Sequence, residues 1–351
     1  DRSGLSDEVK QLYQENGIAH VLAISGLHIS LIGAGLFFVL RKYVMPMQGA
    51  AVVTMVLLFL YGILTGFSIS TERAVIMMGC MLLARLAGRH YDGLSALSFS
   101  AICQLLIHPM VLFQTGFLLS YGTVLGIYVF VDVFCDAWES KNPIWMAVAG
   151  TAGIELVTLP VLLTAYYEFS ILSIAANVLF LPLMGGILVT SLAGIGLGSI
   201  TLFAGKFCFG FAHFCFALFE WVGNLFVRIP GAVVVTGKPA VWQVLLYYGS
   251  AVLFLILQKW RQKKIFLLVL VFGVFILFLP VHNNFDLQIT NLDVGQGDCS
   301  CIRTKNHTIL IDGGSSDVNK VGKYRMIPFL KSQGISYVSY LFLTHSDKDH
   351  T

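Results

Sequence analysis

The stretch "GIELVTLPVLLTAYYEFSILSIAANVLFLPLMGG" (Gly153–Gly186) holds only two charged residues, Glu155 and Glu168. About 20 consecutive apolar residues cross a bilayer as a helix, so this segment is long enough to cross, turn and start back. The same texture recurs outward in both directions. Ten spans can be drawn, at 20–41, 47–66, 72–88, 93–108, 111–131, 144–166, 170–199, 207–228, 241–258 and 265–281. Composition agrees: 57% of the residues are hydrophobic and 12% charged, with a mean hydropathy of +0.80. A soluble domain carries about 25% charged residues. The first reading is therefore a polytopic α-helical membrane domain. The 170–199 span exceeds one crossing, and "LPLMGG" (Leu181–Gly186) sets Pro and paired Gly inside it, which predicts a broken or strongly kinked helix.

Before the first span, "LSDEVKQLYQENGIAH" predicts a short amphipathic helix lying at the membrane surface, with Ser6 as N-cap and Val9, Leu12 and Tyr13 on one face. Asp1 and Thr351 read as cut ends. Loop cations set the orientation. "KWRQKK" (Lys259–Lys264) is placed in the cytoplasm, and alternation puts Lys206, Lys141, Arg85, Arg89, Arg41 and Lys42 with it. Only Arg73, Arg228 and Lys238 fall opposite. The segment before residue 20 and everything after 281 then lie outside the cytoplasm. The net charge of +3 does not by itself argue for an anionic ligand. The seven cysteines (80, 103, 135, 208, 215, 299 and 301) form no ligand-like group, although Cys299 and Cys301 share a strand face.

At Asn283 the texture changes. "FDLQITNLDVGQGDCSCIRTKNHTILIDGG" alternates as strands over 286–294, 298–304 and 308–312. A helix near "YRMIPFLKSQG", ending at Gly334, and a buried-looking strand "YVSYLFLT" follow. Strand, helix, strand predicts an α/β layered domain. The chain thus divides into an interfacial segment (1–19), a multi-pass domain (20–281) and an extramembrane domain (282–351).

Chemistry-bearing residues cluster at the end. His345, Asp347, Asp349 and His350 place imidazole and carboxylate at alternate positions after a strand, where they can converge on a divalent cation. Inside the spans, "HVLAISGLHISLIG" carries His28, "SISTERAVIM" carries Arg73, "FQTGFLLSYGT" carries Gln114, Glu155 sits ahead of Pro160, and "SIAANVLFLPL" carries Asn177. An ionisable group buried in a membrane faces a cavity or a partner. These five are candidates to line a polar pathway; interhelical hydrogen bonds, an ion pair at Glu155 and snorkelling of Arg73 are the alternatives.

Taken in order, with "LDVGQGD" and "HSDKDH" behind them, these stretches resemble the competence DNA-internalisation family (ComEC). "HSDKDH" is similar to the metallo-β-lactamase-fold signature His-x-His-x-Asp-His, with Asp347 at the second His, and "ILIDGG" resembles that fold's first motif. The resemblance implies a channel in the bacterial inner membrane that passes single-stranded DNA during transformation. It also implies an external metallo-β-lactamase-like domain, truncated here, and an N-terminal OB-like domain absent from this stretch. Its metal would be manganese, zinc or magnesium, held by His345, Asp347, Asp349 and His350. Asp349 would be catalytic, and Asp312, with Asp293, Gln296 and Asp298, would support the ligands. The full-length protein would be a phosphodiesterase or nuclease, and the truncated chain inactive. Implied partners are the DNA strand, the lipid bilayer, a competence DNA receptor and a cytosolic helicase-like motor; a homo-oligomer is compatible. No G-x-x-x-x-G-K-[ST] motif is present, so the pull on DNA would come from elsewhere. Two rival readings are a membrane-bound metallohydrolase acting on a lipid or envelope substrate and a secondary transporter for a small solute.

Overall fold

A computed structural model describes Val9 and Leu12 and residues 26–138, 142–259, 263–280, 286–345 and 347. Every apolar segment drawn from the sequence contains a helix. These are α1 (Gly26–Tyr43), α2 (Met47–Leu64), α3 (Ile69–Leu86), α4 (Gly93–Ile107), α5 (Thr115–Ala137), α6 (Pro143–Tyr166), α7 (Ser173–Gly198), α8 (Leu202–Val227), α9 (Val241–Lys259) and α10 (Lys263–Phe278). Five of them, α2, α5, α6, α7 and α8, are long and apolar enough to cross a membrane; α4, α9 and α10 contain shorter apolar stretches. The chain clusters into two compact units, Asp1–Thr158 with Ser170–Ala232, and Leu159–Phe169 with Val233–Thr351.

The first unit packs its helices through narrow seams. On α7, Ala176, Phe180, Met184 and Ile187 recur every three or four residues, as do Ala212, Cys215, Phe219 and Val222 on α8. That spacing puts each set on one helix face, and the two stripes interlock with the Phe180 and Phe219 rings 4.2 Å apart. Val9 packs against this seam. A second cluster joins Ile29 and Phe37 of α1, Leu58 of α2, and Val75, Met78 and Leu82 of α3. The outward faces are as apolar as the seams: Phe203, Phe207 and Phe214 of α8 are exposed. Water would penalise such a surface; lipid does not. Helices in lipid gain little from hydrophobic burial and associate through close packing, often at small residues. α5 and α6 meet in this way, since a Cβ at Gly126 would fall 2.4 Å from the carbonyl oxygen of Gly153.

Of the two outcomes expected for the 170–199 span, a break or a strong kink, the break does not occur. α7 runs unbroken from Ser173 to Gly198 with Pro182 inside it. Proline removes one helical hydrogen bond, but neighbouring helices and Ser/Thr side chains can compensate in a membrane. Here α8 packs against α7 on both sides of Pro182, through Phe180 and Met184. α6 likewise runs on through Pro160.

In the second unit, α9 and α10 pair through Tyr247, Phe254, Leu270 and Leu277. Gln243 Nε2 donates to the carbonyls of Ile276 and Leu279, at 2.8 Å each. The short strands β1 (Glu168–Ser170) and β2 (Val233–Val235) pair with each other. After α10 comes a four-stranded sheet in the order β3 (Leu287–Asn291), β4 (Ser300–Thr304), β5 (Thr308–Ile311) and β6 (Tyr340–Phe342). The first three strands are antiparallel neighbours, and β6 joins β5 in parallel, with Ile311 opposite Phe342. The crossover carries a π-turn at Gly322–Met326 and a short helix, α11 (Ile327–Ser332), which ends at Gly334 in the left-handed conformation (φ +69°). Strand and helix positions follow the alternation and the Gly stop. The expectation of a buried last strand is overturned: Tyr340, Leu341 and Phe342 are each more than half exposed. β6 is the sheet edge, with one neighbour, and no described layer covers it.

Candidate functional site

Arg73 occupies the first turns of α3 in the first unit. Ser68 caps that helix, its hydroxyl accepting from the Thr71 N–H. Arg73 lies on the packed face of the helix and is only 6% exposed. It does not snorkel. Nη1 donates to the Ser120 carbonyl at 2.7 Å, and the guanidinium carbon lies 5.9 Å from the Tyr121 ring centre. Tyr121 Oη donates in turn to Ser100 Oγ at 3.2 Å. Nη2 lies against Gly26, where an added Cβ would come within 2.5 Å of it. Among the described residues no carboxylate pairs with Arg73, and its Nε, Ser120 Oγ and Gln104 Oε1 are buried without hydrogen-bond partners. The seam is therefore polar, cationic and lined from α1, α3, α4 and α5. Gln104, 2% exposed with Nε2 donating to the Ile69 carbonyl at 3.0 Å, escaped the sequence reading. Its only signal was an amide in the middle of an apolar span.

Glu155 and Asn177 also meet. Asn177 Nδ2 lies 3.4 Å from Glu155 Oε1, and both residues are buried. His28 is half-buried in the first turn of α1. Gln114 departs from its expected place within a span. It is the exposed N-cap residue of α5, beside the 3-10 turn Pro109–Phe113, because Pro109 and the turn delay the helix to Thr115.

In the C-terminal sheet, Asp312 follows β5 and lies beside the end of β6. Its backbone is left-handed (φ +57°), and its N–H donates to the Phe342 carbonyl at 2.8 Å. The carboxylate accepts from the Thr344 N–H and from Thr344 Oγ1, each at 2.8 Å. With its proton committed to Asp312, Thr344 Oγ1 accepts from His345 Nδ1 at 3.0 Å. His345 Nε2 lies 3.6 Å from Asp347 Oδ2. A hydrogen bond to one ring nitrogen orients a histidine, the arrangement that metal-binding histidines use. Asp349 and His350 lie outside the described residues, among which no group of three or more His, Cys, Asp and Glu side chains could hold a metal.

Asp293, Gln296 and Asp298 fall in the β3–β4 loop. Gly295 N–H donates to Asp293 Oδ1 at 3.2 Å and Gln296 N–H to Asp317 Oδ1 at 2.9 Å, while Asp298 is exposed. Ser315 Oγ also donates to Asp317, at 2.6 Å. These donors, Ser315 first, hold the Asp317 carboxyl below its ordinary value. Cys299 and Cys301 are both buried, as their shared face predicts. Burial, with the Cys301 and Asp312 charges behind it, pushes the Cys299 thiol up to about 11, which keeps it protonated and unreactive at neutral pH.

Residues 1–262 match the family model described as Competence protein. The chain belongs to the competence protein family. Across its whole length this competence-family chain is similar to ComE operon protein 3 of Bacillus subtilis (30% identical, covering 47% of that protein). It is also similar throughout to Competence protein ComA of Neisseria gonorrhoeae (27%, covering 50%) and Recombination protein 2 of Haemophilus influenzae (25%, covering 50%). The chain thus spans about half the length of these relatives. No solved structure matches it.

Proposed function

We propose that this chain is the membrane core of an inner-membrane conduit that takes one DNA strand into the cytoplasm during transformation. The observation that carries the reading is Arg73, in a chain of the competence family: a guanidinium buried among membrane helices with no acidic partner among the described residues. A buried cation is costly in apolar surroundings, and a phosphodiester passing the seam would offset that cost with charge-assisted hydrogen bonds. Tyr121, Ser100 and Gln104 would give the strand a stacking and hydrogen-bonding wall. The sheet domain would stand outside the cytoplasm as a nuclease-like module. There His345 Nε2 and Asp347, completed by Asp349 and His350, would hold a divalent metal. Such an ion supplies an activated hydroxide and stabilises charge on a phosphodiester. Asp312 would orient His345 through Thr344, and Asp349 would act at the reacting phosphate.

The test is uptake of labelled DNA by cells lacking the protein and complemented with the wild type or with Arg73→Gln, at matched membrane levels. Uptake should return with the wild type and fall at least about tenfold in the variant, the loss of roughly one charged hydrogen bond. Full uptake by Arg73→Gln would overturn the assignment of Arg73, and full uptake by the deletion strain would overturn the function.

A further inference from the structure

We infer that Glu155, Asn177 and Ser173 form a binding site for a monovalent alkali cation. Glu155 is the single charged residue of α6, and α7 carries none. It lies in mid-helix, 8% exposed, two residues beyond the Gly153 backbone that touches α5. The protein holds its carboxylate loosely. The Asn177 Nδ2 contact at 3.4 Å is at the limit of a hydrogen bond, and Oε2 has no partner. Asn177, 3% exposed, and Ser173, 1% exposed, come from the first turns of α7 and bring further oxygens to the carboxylate. Asn177 Oδ1 is unpartnered, and the Ser173 hydroxyl is directed at the Glu155 carboxylate, which leaves its lone pairs available. Glu155 Oε2 and Asn177 Oδ1, on two residues that touch, are thus buried without a hydrogen-bond partner, beside a serine hydroxyl oxygen.

Buried polar groups are normally satisfied, and a group of orphans calls for an explanation. Thr151, Thr158 and Thr164 on the same helix show the normal case, each donating to a carbonyl one turn back. An all-oxygen set selects a hard cation. One carboxylate with two neutral oxygens balances a single positive charge, whereas a divalent ion would leave a net charge in apolar surroundings. Sodium and potassium share this chemistry, and the experiment separates them. The inference stands apart from DNA uptake, since its readout is the purified protein.

The protein in detergent is unfolded thermally in sodium, potassium or choline chloride at one ionic strength. A ligand that binds only the folded state stabilises it in proportion to the logarithm of its concentration. The wild type should show a higher, saturable Tm in one or both alkali salts than in choline. Glu155→Gln should lose that difference. Ser173→Ala, a milder change, should keep it with half-saturation raised about tenfold. Equal Tm in all three salts would overturn the site. So would an alkali effect that survives in Glu155→Gln, or a wild-type Tm that responds to acid but to neither alkali ion, which would mean that a proton fills the place.

Discussion

Asp312 shows how one side chain can set a loop. Its left-handed backbone turns the chain out of β5, and the carboxylate then takes both polar hydrogens of Thr344. Hydrogen bonds to a buried charge contribute about 1.5–3 kcal/mol each. Asp312→Ala should therefore raise hydrogen exchange at the Thr344 amide by roughly 30-fold or more, with Asp312→Asn intermediate; unchanged exchange would overturn the role proposed for Asp312 behind His345. Asp317 gives a pH test. Its carboxyl lies below the ordinary value of 3.8 in the folded protein, so it stabilises the β3–β4 loop fully above that value and loses the effect as pH falls through the lower folded value. Protection of the Gln296 amide should persist at about pH 5 and fade only in stronger acid, and Asp317→Asn should abolish the step. The sequence made Glu155 and Arg73 visible because a charge in an apolar span is conspicuous, whereas Asp312 stood out only through the resemblance of "ILIDGG" to a known motif. It could not show that Asp293 and Gln296 bond within their own loops and to Asp317, because such contacts join residues about 20 apart through turn geometry.

At the scale of elements, hydropathy located the ten apolar helices among the described residues, most ends to within a few residues, although α8 starts ahead of Lys206 and α5 runs past Asp132. Pro109 misled at one of them, by holding the chain in a 3-10 turn until Thr115. Pro182 does not break α7, which packs along α8 on both sides of it. β6 was misread because an apolar strand looks buried from its sequence, whereas burial depends on what covers it. Crossings between helices are invisible to hydropathy altogether, and the one at Gly126 and Gly153 yields a prediction. Alanine in a helix is ordinarily better than glycine by up to about 1 kcal/mol. At Gly196, where an added Cβ meets nothing within 4 Å, alanine should be neutral or stabilising. At Gly126 it would strike the Gly153 carbonyl, and overpacking costs about 1–3 kcal/mol. Thermal unfolding in detergent should rank Gly196→Ala at or above the wild type and Gly126→Ala below it; the reverse order would show that α5 and α6 do not touch there.

At the scale of the whole molecule, membrane sidedness and the attachment of the sheet domain decide what the chain can do. The bias of loop cations predicts that a single cysteine placed at position 262, in a background without the native ones, resists an impermeant thiol reagent in intact cells. One at position 284 should react, and the opposite pattern would put the sheet domain in the cytoplasm. Within the second unit the sheet domain is attached through α11 and not only through the chain leaving α10. Lys331 Nζ meets Glu168 Oε2 at 2.6 Å, the Lys238 N–H donates to the Ser332 carbonyl at 2.9 Å, and Thr236 N–H ties that strand end to the Tyr167 carbonyl at 3.0 Å. Glu168, directly beyond α6, is thus bridged to a residue 163 positions later, a link that no local pattern could reveal. Its side chain is 6% exposed and its Oε1 has no partner, while Lys331 is 24% exposed. Removing one member of a buried pair costs about 3–5 kcal/mol because the other charge is stranded; the partial exposure of Lys331 reduces that to about 2 kcal/mol. Lys331→Met should therefore destabilise the contact and speed hydrogen exchange at the Lys238 amide by at least about tenfold. Glu168→Gln combined with Lys331→Met removes the stranded charge and should recover most of the protection. Unaltered exchange at Lys238 in the single variant would mean that the backbone contacts hold the domain alone. Loss in the double variant equal to that in the single would show that the lysine acts through its packed alkyl chain and not through its charge.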